Sequence, residues 1–339
     1  MADLRRDSHA AINDERVDDL QRWSDDPSAV LALNAQTAAF RCRDVSGFIA
    51  YRRAGAWLLQ IGGVYAAPQD RPVLIEAFRR YAAQQRCRVL AVQLQRRDAV
   101  EHAAAGFTVN QIGASYALRV PDFTLRGGHF VRLRNKISRA ERAGVVIEWS
   151  TFADLAPTDV RALTELDREW LRGKGRHARP LAFLVGELGG PADGLRRLVL
   201  ARSAGRVVGY VSLSPVYGSR PGWLHDLSRR STEAPPGVME LLVASCLQTC
   251  RDDGVPWWHF GFTPFTALHP QHAFPGASPT IDWAARFLWS HGQRIYPAVT
   301  QLDYKQKWGD LTVLPDYIAF DERPRLAGVW KLLQVANLI

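Results

Sequence analysis

Long hydrophobic runs are missing from this 339-residue sequence. No apolar stretch approaches the roughly 20 residues that a membrane-spanning helix needs. The first 20 residues are polar and carry both charge signs, whereas a secretory signal has an apolar centre. Because 47% of the residues are hydrophobic and 23% are charged, the composition is typical of a globular protein. We therefore expect a cytoplasmic protein.

Cysteine is scarce, and its four positions show neither a CxxC pair nor the spacing of zinc ligands. Cys246 and Cys250 lie one helical turn apart, which suits two buried thiols better than a disulfide. His269 and His272 have no carboxylate or cysteine close to them in the sequence. We predict reduced thiols and no metal site.

Two motifs that activate substrates are also absent. The chain has no GxxxxGK[ST] loop for the phosphates of ATP and no GxSxG turn for a nucleophilic serine. We therefore expect the chain to receive an acyl group that is already activated.

Positive charge is in excess, because 43 Lys and Arg residues against 34 Asp and Glu residues give a net charge of +9. Such an excess indicates an anionic partner. Between Arg126 and Arg142, six basic residues stand against the single acid Glu141, so this short segment carries over half of the net charge. The candidate contacts are Arg132, Arg134, Lys136, Arg139 and Arg142.

This basic segment has the pattern of a helix. Apolar residues recur at helical spacing, and Gly144 follows as a stop signal; the apolar positions are Phe130, Leu133, Ile137 and Ala140. We interpret it as a helix that contacts the phosphates of a folded RNA or of lipid headgroups. The alternative is a solvated helix face packed against one domain.

The hydrophobic pattern predicts an α/β (α+β) fold. Between residues 48 and 120 the order is strand, strand, helix, strand, helix, strand, and the second half repeats it up to a last strand at Ala298–Tyr304. We predict two tandem GNAT-like (acetyltransferase-like) domains joined by the basic helix. The predicted parts are an extension (1–28), a first domain (29–122), a linker helix (123–145) and a second domain (146–339).

The segment Trp223–Leu242 reads as a strand ending at Asp226, a charged loop, and a helix after Pro235-Pro236-Gly237. An acetyltransferase holds the pyrophosphate of coenzyme A with backbone amides at this position. Here two prolines remove two amide donors, and Glu233 adds a repelling charge. We expect no coenzyme A and no other cofactor.

Several segments, taken in order, resemble the lysylphosphatidylglycerol synthase C-terminal family over roughly residues 45–320. They are Leu133–Gly144, His225–Arg230, Pro236–Glu240, Phe260–Phe265, Phe287–Gly292, Leu302–Trp308 and Pro315–Tyr317. The resemblance implies two tandem GNAT-like domains with the active site mainly in the second domain (146–339). It also implies transfer of an aminoacyl group from aminoacyl-tRNA to a hydroxyl acceptor. It extends to a soluble relative of valanimycin biosynthesis, which uses seryl-tRNA. We therefore favour a hydroxyl or hydroxylamine of a small molecule of antibiotic-type metabolism as the acceptor, with a phosphatidylglycerol-type lipid as the alternative.

The same resemblance supplies the candidate site. Asp226, Arg229 and Lys305 are the predicted catalytic residues. Asp226 would hold the α-ammonium group or help to deprotonate the acceptor. Arg229 would orient Asp226 or bind the end of the tRNA, and Lys305 would polarise the carbonyl or contact that end. The predicted substrate-binding residues are Lys307, Gly261, Thr263, Glu240 and Tyr304. The basic helix would bind the tRNA.

Plainer interpretations of these residues stay open. Asp226 and Arg229 could form a loop ion pair, and Lys305 could be ordinary surface charge, while His225 is expected to be structural because it points to the other side of its strand. Two further functions also remain: a coenzyme A-dependent N-acyltransferase and a non-catalytic RNA- or membrane-binding module.

Overall fold

The computed structural model describes residues 15–43, 45–173, 181–291 and 298–338. Within these residues one mixed sheet of eleven strands runs through the protein, with helices packed on both of its faces. None of the described helices combines the length and the apolar character that crossing a bilayer requires.

The first unit begins with a helix and ends with a strand. Its elements are α1 (Glu15–Trp23), β1 (Ala38–Cys42), β2 (Val45–Ala54), β3 (Trp57–Ala66), α2 (Arg71–Gln84), β4 (Arg88–Leu94), α3 (Arg96–Ala104) and β5 (Thr108–Arg119). A connecting stretch then holds the basic helix α4 (Val131–Arg142) and the edge strand β6 (Val146–Ser150).

The second unit repeats this order with additions near its end. Its elements are α5 (Pro157–Arg172), β7 (Arg197–Ser203), β8 (Arg206–Val216), β9 (Gly222–Arg230), α6 (Val238–Asp252), β10 (Trp257–Pro264), α7 (Pro279–His291), α8 (Ala298–Gln306), β11 (Thr312–Phe320) and α9 (Leu326–Val335).

Each unit contains three antiparallel strands, followed by a helix and by a fourth strand that is parallel to the third. A further helical segment and a last strand complete the unit. Apart from β1, which was not predicted, and β11, which replaces the predicted last strand, this is the predicted order, and the predicted fold class is confirmed. The division at residues 28, 122 and 145 stays a prediction.

The two units exchange their last strands. Along the sheet the order is β1-β2-β3-β4-β11-β5-β10-β9-β8-β7-β6. Strand β11 of the second unit therefore lies beside β4, and strand β5 of the first unit lies beside β10. Because β5 and β11 also pair with each other, the exchange joins both units into one continuous sheet.

Each unit contains a parallel pair that is short. Strands β9 and β10 pair only from Gly222–Leu224 to Trp257–His259 and then separate. Strands β3 and β4 pair only from Trp57–Ile61 to Arg88–Val92. The gap that opens between β9 and β10, called here the β9/β10 cleft, is where the candidate site lies.

The basic helix forms as predicted. Its apolar residues Leu133, Ile137 and Ala140 are buried against α6, and the chain turns at Gly144 with a φ of +73°. The basic residues Arg132, Arg139 and Arg142 stay exposed on the other side. A left-handed φ suits glycine because an L side chain clashes there.

Two sequence-based boundaries were wrong. Strand β9 continues to Arg230 because it pairs with β8 beyond a bulge, so Asp226 and Arg229 lie within the strand rather than at its end and in a loop. Residues Ala298–Tyr304 are helical, and the last strand is β11. Pro315 lies inside β11, and a proline normally argues against a central strand.

Candidate active site

Lys305 is the most constrained cation of the cleft. It is buried near the end of α8, and its Nζ donates to the carbonyl of Gly261 at 2.6 Å, to Thr263 Oγ1 at 2.7 Å and to the carbonyl of Phe262 at 3.3 Å. These acceptors belong to β10 beyond its pairing with β9. The bulge of β10 at Gly261, with a φ of +72°, lies where strand pairing shifts by one residue.

Burial sets the protonation of this lysine. It lowers the pKa of Lys305 to about 7, although the carboxyl of Asp316 acts in the opposite direction. Burial also raises the pKa of Asp316 to about 7, despite hydrogen bonds from Ser115 Oγ at 2.7 Å and Gln95 Nε2 at 2.8 Å. Lys305 and Asp316 can therefore exchange a proton with their surroundings near neutral pH.

A second cluster connects the basic helix to the cleft. One carboxylate oxygen, Glu240 Oε1, accepts from Lys307 Nζ at 2.9 Å and from Lys136 Nζ of α4 at 3.0 Å. Burial acts to raise the pKa of Glu240, but the two lysines outweigh it and lower the pKa overall. The Lys307 ammonium also lies 3.7 Å from the ring centre of Tyr304.

His225 belongs to this site, although the sequence assigned it a structural role. Its ring packs beside Trp258 and Phe260. Burial, followed by the charges of Lys305 and Lys307, lowers its pKa to about 3, so the imidazole is neutral at physiological pH. The structural role was predicted because side chains alternate along a strand, so that His225 and Asp226 lie on opposite sides of β9.

Both carboxylate oxygens of Asp226 accept hydrogen bonds from other protein groups. Its Oδ1 accepts from the backbone N–H of Gly186 at 2.8 Å, and its Oδ2 accepts from Ser214 Oγ at 2.6 Å. Arg196 Nε lies 3.7 Å from the same Oδ2. A side chain at Gly186 would collide with this carboxylate, because a Cβ there would lie 2.1 Å from Oδ2.

The predicted contact between Arg229 and Asp226 is not made. Arg229 Nε instead lies 3.3 Å from Asp167 Oδ1, and its guanidinium stacks 3.9 Å from the ring centre of Trp170. Both partners lie on α5, and β9 carries Arg229 towards that helix. Of the predicted substrate residues, Gly261 and Thr263 thus contact Lys305, whereas Glu240 and Tyr304 contact Lys307. Asp226 and Arg229 have other partners.

The loop before α6 keeps its amides occupied. The N–H of Thr232 donates to Glu169 Oε1 at 2.6 Å, the N–H of Glu233 to Ser231 Oγ, and the N–H of Val238 to the carbonyl of Pro235. Pro235 and Pro236 have no N–H to offer. Among the described residues, no group of three or more His, Cys, Asp or Glu side chains is placed to hold a metal ion.

Gly237 holds the basic helix against this loop. Its φ is +95°, and a Cβ there would lie 1.9 Å from the carbonyl oxygen of Lys136. We expect Gly237→Ala to reduce the free energy of unfolding by about 3 kcal/mol or more, from backbone strain plus steric overlap. Urea unfolding followed by circular dichroism measures the effect.

Gly144→Ala is the matched control. Gly144 also has a positive φ, +73°, but nothing lies within 4 Å of its added Cβ. We expect a loss of only about 1 to 2 kcal/mol from the backbone alone. Equal losses in the two variants would show that α4 is not held in place by close contact at Gly237.

A trough of about 900 Å³ lies at the end of α8, with Gln306 rather than Lys305 in its lining. Tyr116 belongs to its lining and also lies 5.4 Å from Lys305 Nζ, measured to the ring centre. Apolar side chains form much of the trough, with polar groups among them. Its residues include Leu118, Arg119, Asp122, Phe123, His129, Phe130, Trp257, Gln306, Trp308, Asp310 and Val313.

Comparison with known families gives one extensive match. The sequence model described as "Phosphatidylglycerol lysyltransferase, C-terminal" matches residues 18–320. A protein of Rhodococcus opacus named lysylphosphatidylglycerol biosynthesis bifunctional protein LysX is 26% identical over 316 residues, which are 91% of this chain and 27% of the relative. The Mycolicibacterium vanbaalenii protein of the same name is 30% identical over 223 residues, which are 64% of this chain and 19% of the relative. The chain thus spans about a quarter or less of these relatives.

Two solved structures share the fold across nearly the whole chain. L-PGS from Bacillus licheniformis superimposes with a TM-score of 0.76 at 20% identity, covering 95% of this chain and 94% of that one. The C-terminal domain of a proposed lysylphosphatidylglycerol synthetase from Agrobacterium fabrum gives 0.76 at 21% identity, covering 96% and 97%.

Proposed function

The chain belongs to the phosphatidylglycerol lysyltransferase C-terminal family, and we propose that it transfers an aminoacyl group from aminoacyl-tRNA to a hydroxyl of a phosphatidylglycerol-type lipid. The names of the relatives favour this lipid acceptor over the small-molecule acceptor predicted from the sequence, and they make lysine the first amino acid to test. The observation that carries the proposal is the buried amine of Lys305 at the β9/β10 cleft.

The reaction balances without any further reagent. The lipid hydroxyl oxygen attacks the ester carbonyl of the aminoacyl-tRNA, forming a new acyl–oxygen bond. The bond between the acyl carbon and the ribose oxygen of the tRNA breaks, and the proton of the lipid hydroxyl ends on that ribose oxygen. Because one ester replaces another, no ATP is consumed. The protein has to move one proton and stabilise one oxyanion.

Lys305 suits the proton transfer. With a pKa of about 7, the side chain is partly neutral at physiological pH and can accept the proton of the attacking hydroxyl. In its neutral form the amine keeps two N–H bonds for the acceptors on β10, which position Nζ, and its lone pair is left to accept the proton. Lys307 and Lys136 both contact Glu240. Their positive charges would attract the anionic end of the tRNA and stabilise the developing oxyanion.

Asp226 and Arg229 take supporting roles in this proposal. Asp226 anchors the segment at Gly186, and Arg229 ties β9 to α5. Both are positioning residues here, because none of their described partners is a partner of Lys305. An ammonium-binding role for Asp226 remains the earlier prediction from the family resemblance.

The donor is tRNA rather than coenzyme A in this proposal. Of the amides before α6 that would hold a pyrophosphate, those of Thr232, Glu233 and Val238 donate to protein acceptors, and two positions are proline. The exposed arginines of α4 offer phosphate contacts instead, and Lys136 connects that helix to Glu240 beside Lys307.

Transfer of label from lysyl-tRNA into lipid tests the proposal. Radioactive lysyl-tRNA is incubated with the protein and with vesicles of phosphatidylcholine, with or without phosphatidylglycerol. We expect label in the organic phase only when phosphatidylglycerol is present. Release of free lysine at the same rate with both vesicles, without labelled lipid, would contradict a lipid acceptor.

A further inference from the structure

Helix α7 exposes a ladder of aromatic rings. Trp283 is 64% exposed and Phe287 is 47% exposed, although both are large apolar side chains. The ring of Phe287 stacks on Trp283 at 5.3 Å and on His291 at 4.7 Å between ring centres. These residues follow one another every four positions, so they form a single stripe, while Ile281 and Ala285 hold the helix to the protein.

Helix α9 exposes a second apolar stripe. Leu326 is 75% exposed and Trp330 is 55% exposed, whereas Gly328 and Leu332 are buried. A helix on the surface of a globular protein normally carries polar residues on its outer side. Here Lys331 is the sole charged residue within α9.

The two stripes lie on the same side of the protein. Ile281 of α7 and Leu332 of α9 belong to one core cluster, which also contains Ile318 and Phe320 of β11. Both helices therefore pack on one face of the sheet, and their exposed apolar residues lie on the outer surface over that face. We call this surface the α7/α9 face.

The charges around the α7/α9 face are mainly positive. The cations on α7, on α9 and on the turn before α9 are Arg286, Arg323, Arg325 and Lys331. Of the acids close by, Asp321 pairs with Arg79 at 3.0 Å and Glu322 pairs with Arg88 at 3.3 Å. Asp282 accepts from the uncharged amide of Asn110 at 2.7 Å and keeps its charge, so one acid stands against the four cations. An anionic surface thus meets unbalanced positive charge around an apolar centre.

We propose that the α7/α9 face docks on an anionic phospholipid bilayer. Tryptophan is favoured where hydrocarbon meets water, and exposed aliphatic side chains such as Leu326 gain by entering the acyl region. Arginine and lysine around them attract anionic headgroups. An RNA would stack on the aromatic rings but would gain nothing from Leu326, so the aliphatic part of the stripe favours lipid. The choice of phosphatidylglycerol as the anionic lipid rests on the proposed function.

Vesicle flotation tests the docking. The wild-type protein is compared with Trp283→Ser/Trp330→Ser, which removes one exposed ring from each helix, on vesicles of phosphatidylcholine with phosphatidylglycerol. We expect the variant to bind about tenfold more weakly or worse. The control is Val73→Ser/Val100→Ser, which removes two half-exposed apolar residues from α2 and α3 and should bind like the wild type.

Transfer assays separate this inference from the proposed function. The variant should lose transfer to vesicle phosphatidylglycerol and keep transfer to a short-chain phosphatidylglycerol dispersed as monomers. Wild-type binding that depends on both tryptophans, without transfer to either substrate, would support docking and reject the proposed function. Normal transfer with unchanged vesicle binding by the variant would reject docking alone.

Two other occupants would also overturn the docking. A wild-type dimer that the double variant dissociates in sedimentation equilibrium, with vesicle binding unchanged, would assign the face to a second copy of the chain. A loss of tRNA affinity in the variant, again with unchanged vesicle binding, would assign it to RNA.

Discussion

Replacing Lys305 with methionine is expected to lower kcat/KM for aminoacyl transfer by about a thousandfold, the size of a lost general base. Methionine keeps the length of the side chain but removes the amine that contacts Gly261 and Thr263. The affinity for tRNA, measured by filter binding, should stay unchanged. Since the lost hydrogen bonds cost about 1 to 3 kcal/mol of stability, thermal unfolding must show that the variant is folded at the assay temperature.

Lys305→Arg separates proton transfer from charge. Arginine keeps a positive charge but does not lose its proton, so we expect it to lose nearly as much activity as methionine. Full activity in folded Lys305→Met would remove Lys305 from the chemistry. Full activity in Lys305→Arg alone would show that the charge matters and that the proton does not.

The pH dependence of the transfer rate of the wild-type protein tests the role of Lys305 independently. Below its pKa of about 7 the amine is protonated and accepts no further proton, so the rate should rise as pH rises through 7 and then level off. The neighbouring Asp316 titrates in the same range and shares the transition. Single-turnover rates, corrected for spontaneous hydrolysis of the ester, check this.

Removing two exposed charges from the basic helix should weaken tRNA binding by about tenfold or more. Arg132 and Arg139 are both exposed on α4, opposite to its buried stripe. Each phosphate contact that is lost lowers the slope of log K against log salt concentration by about 0.7 to 0.9. We therefore expect Arg132→Gln/Arg139→Gln to reduce this slope by about 1.5, as measured by filter binding over a salt series.

Arg80→Gln/Arg206→Gln is the matched control, because it removes the same charge from exposed positions on α2 and at the start of β8. It should leave the tRNA affinity close to that of the wild type. If both double variants lose the same affinity, net charge rather than α4 governs binding, and the helix is a solvated face as the alternative interpretation holds.

Local patterns in the sequence predicted much of the fold. The basic helix was predicted because Leu133, Ile137 and Ala140 recur at helical spacing, and Gly144 ends it. The exchange of β5 and β11 could not be predicted, because strand order in a sheet depends on contacts far apart in the sequence. Strand β11 was not predicted because Pro315 interrupts its apolar pattern.

The candidate site was predicted only in part. The resemblance selected Lys305, Lys307, Glu240 and Thr263, and these side chains do meet around the cleft. The bulge in β9 was not visible in the sequence, so Asp226 and Arg229 were placed together in error. The position of His225 near Lys305 and Lys307 depends on α8 being a helix, whereas the sequence pattern predicted a strand there.

Competition between the two donors tests the central claim most directly. The protein is incubated with phosphatidylglycerol vesicles, lysyl-tRNA and acetyl-coenzyme A together, and the extracted lipid is analysed by mass spectrometry. We expect phosphatidylglycerol that carries a lysyl group, and no acetylated product. An acetylated product, or unmodified lipid after every aminoacyl-tRNA has been tried, would contradict it.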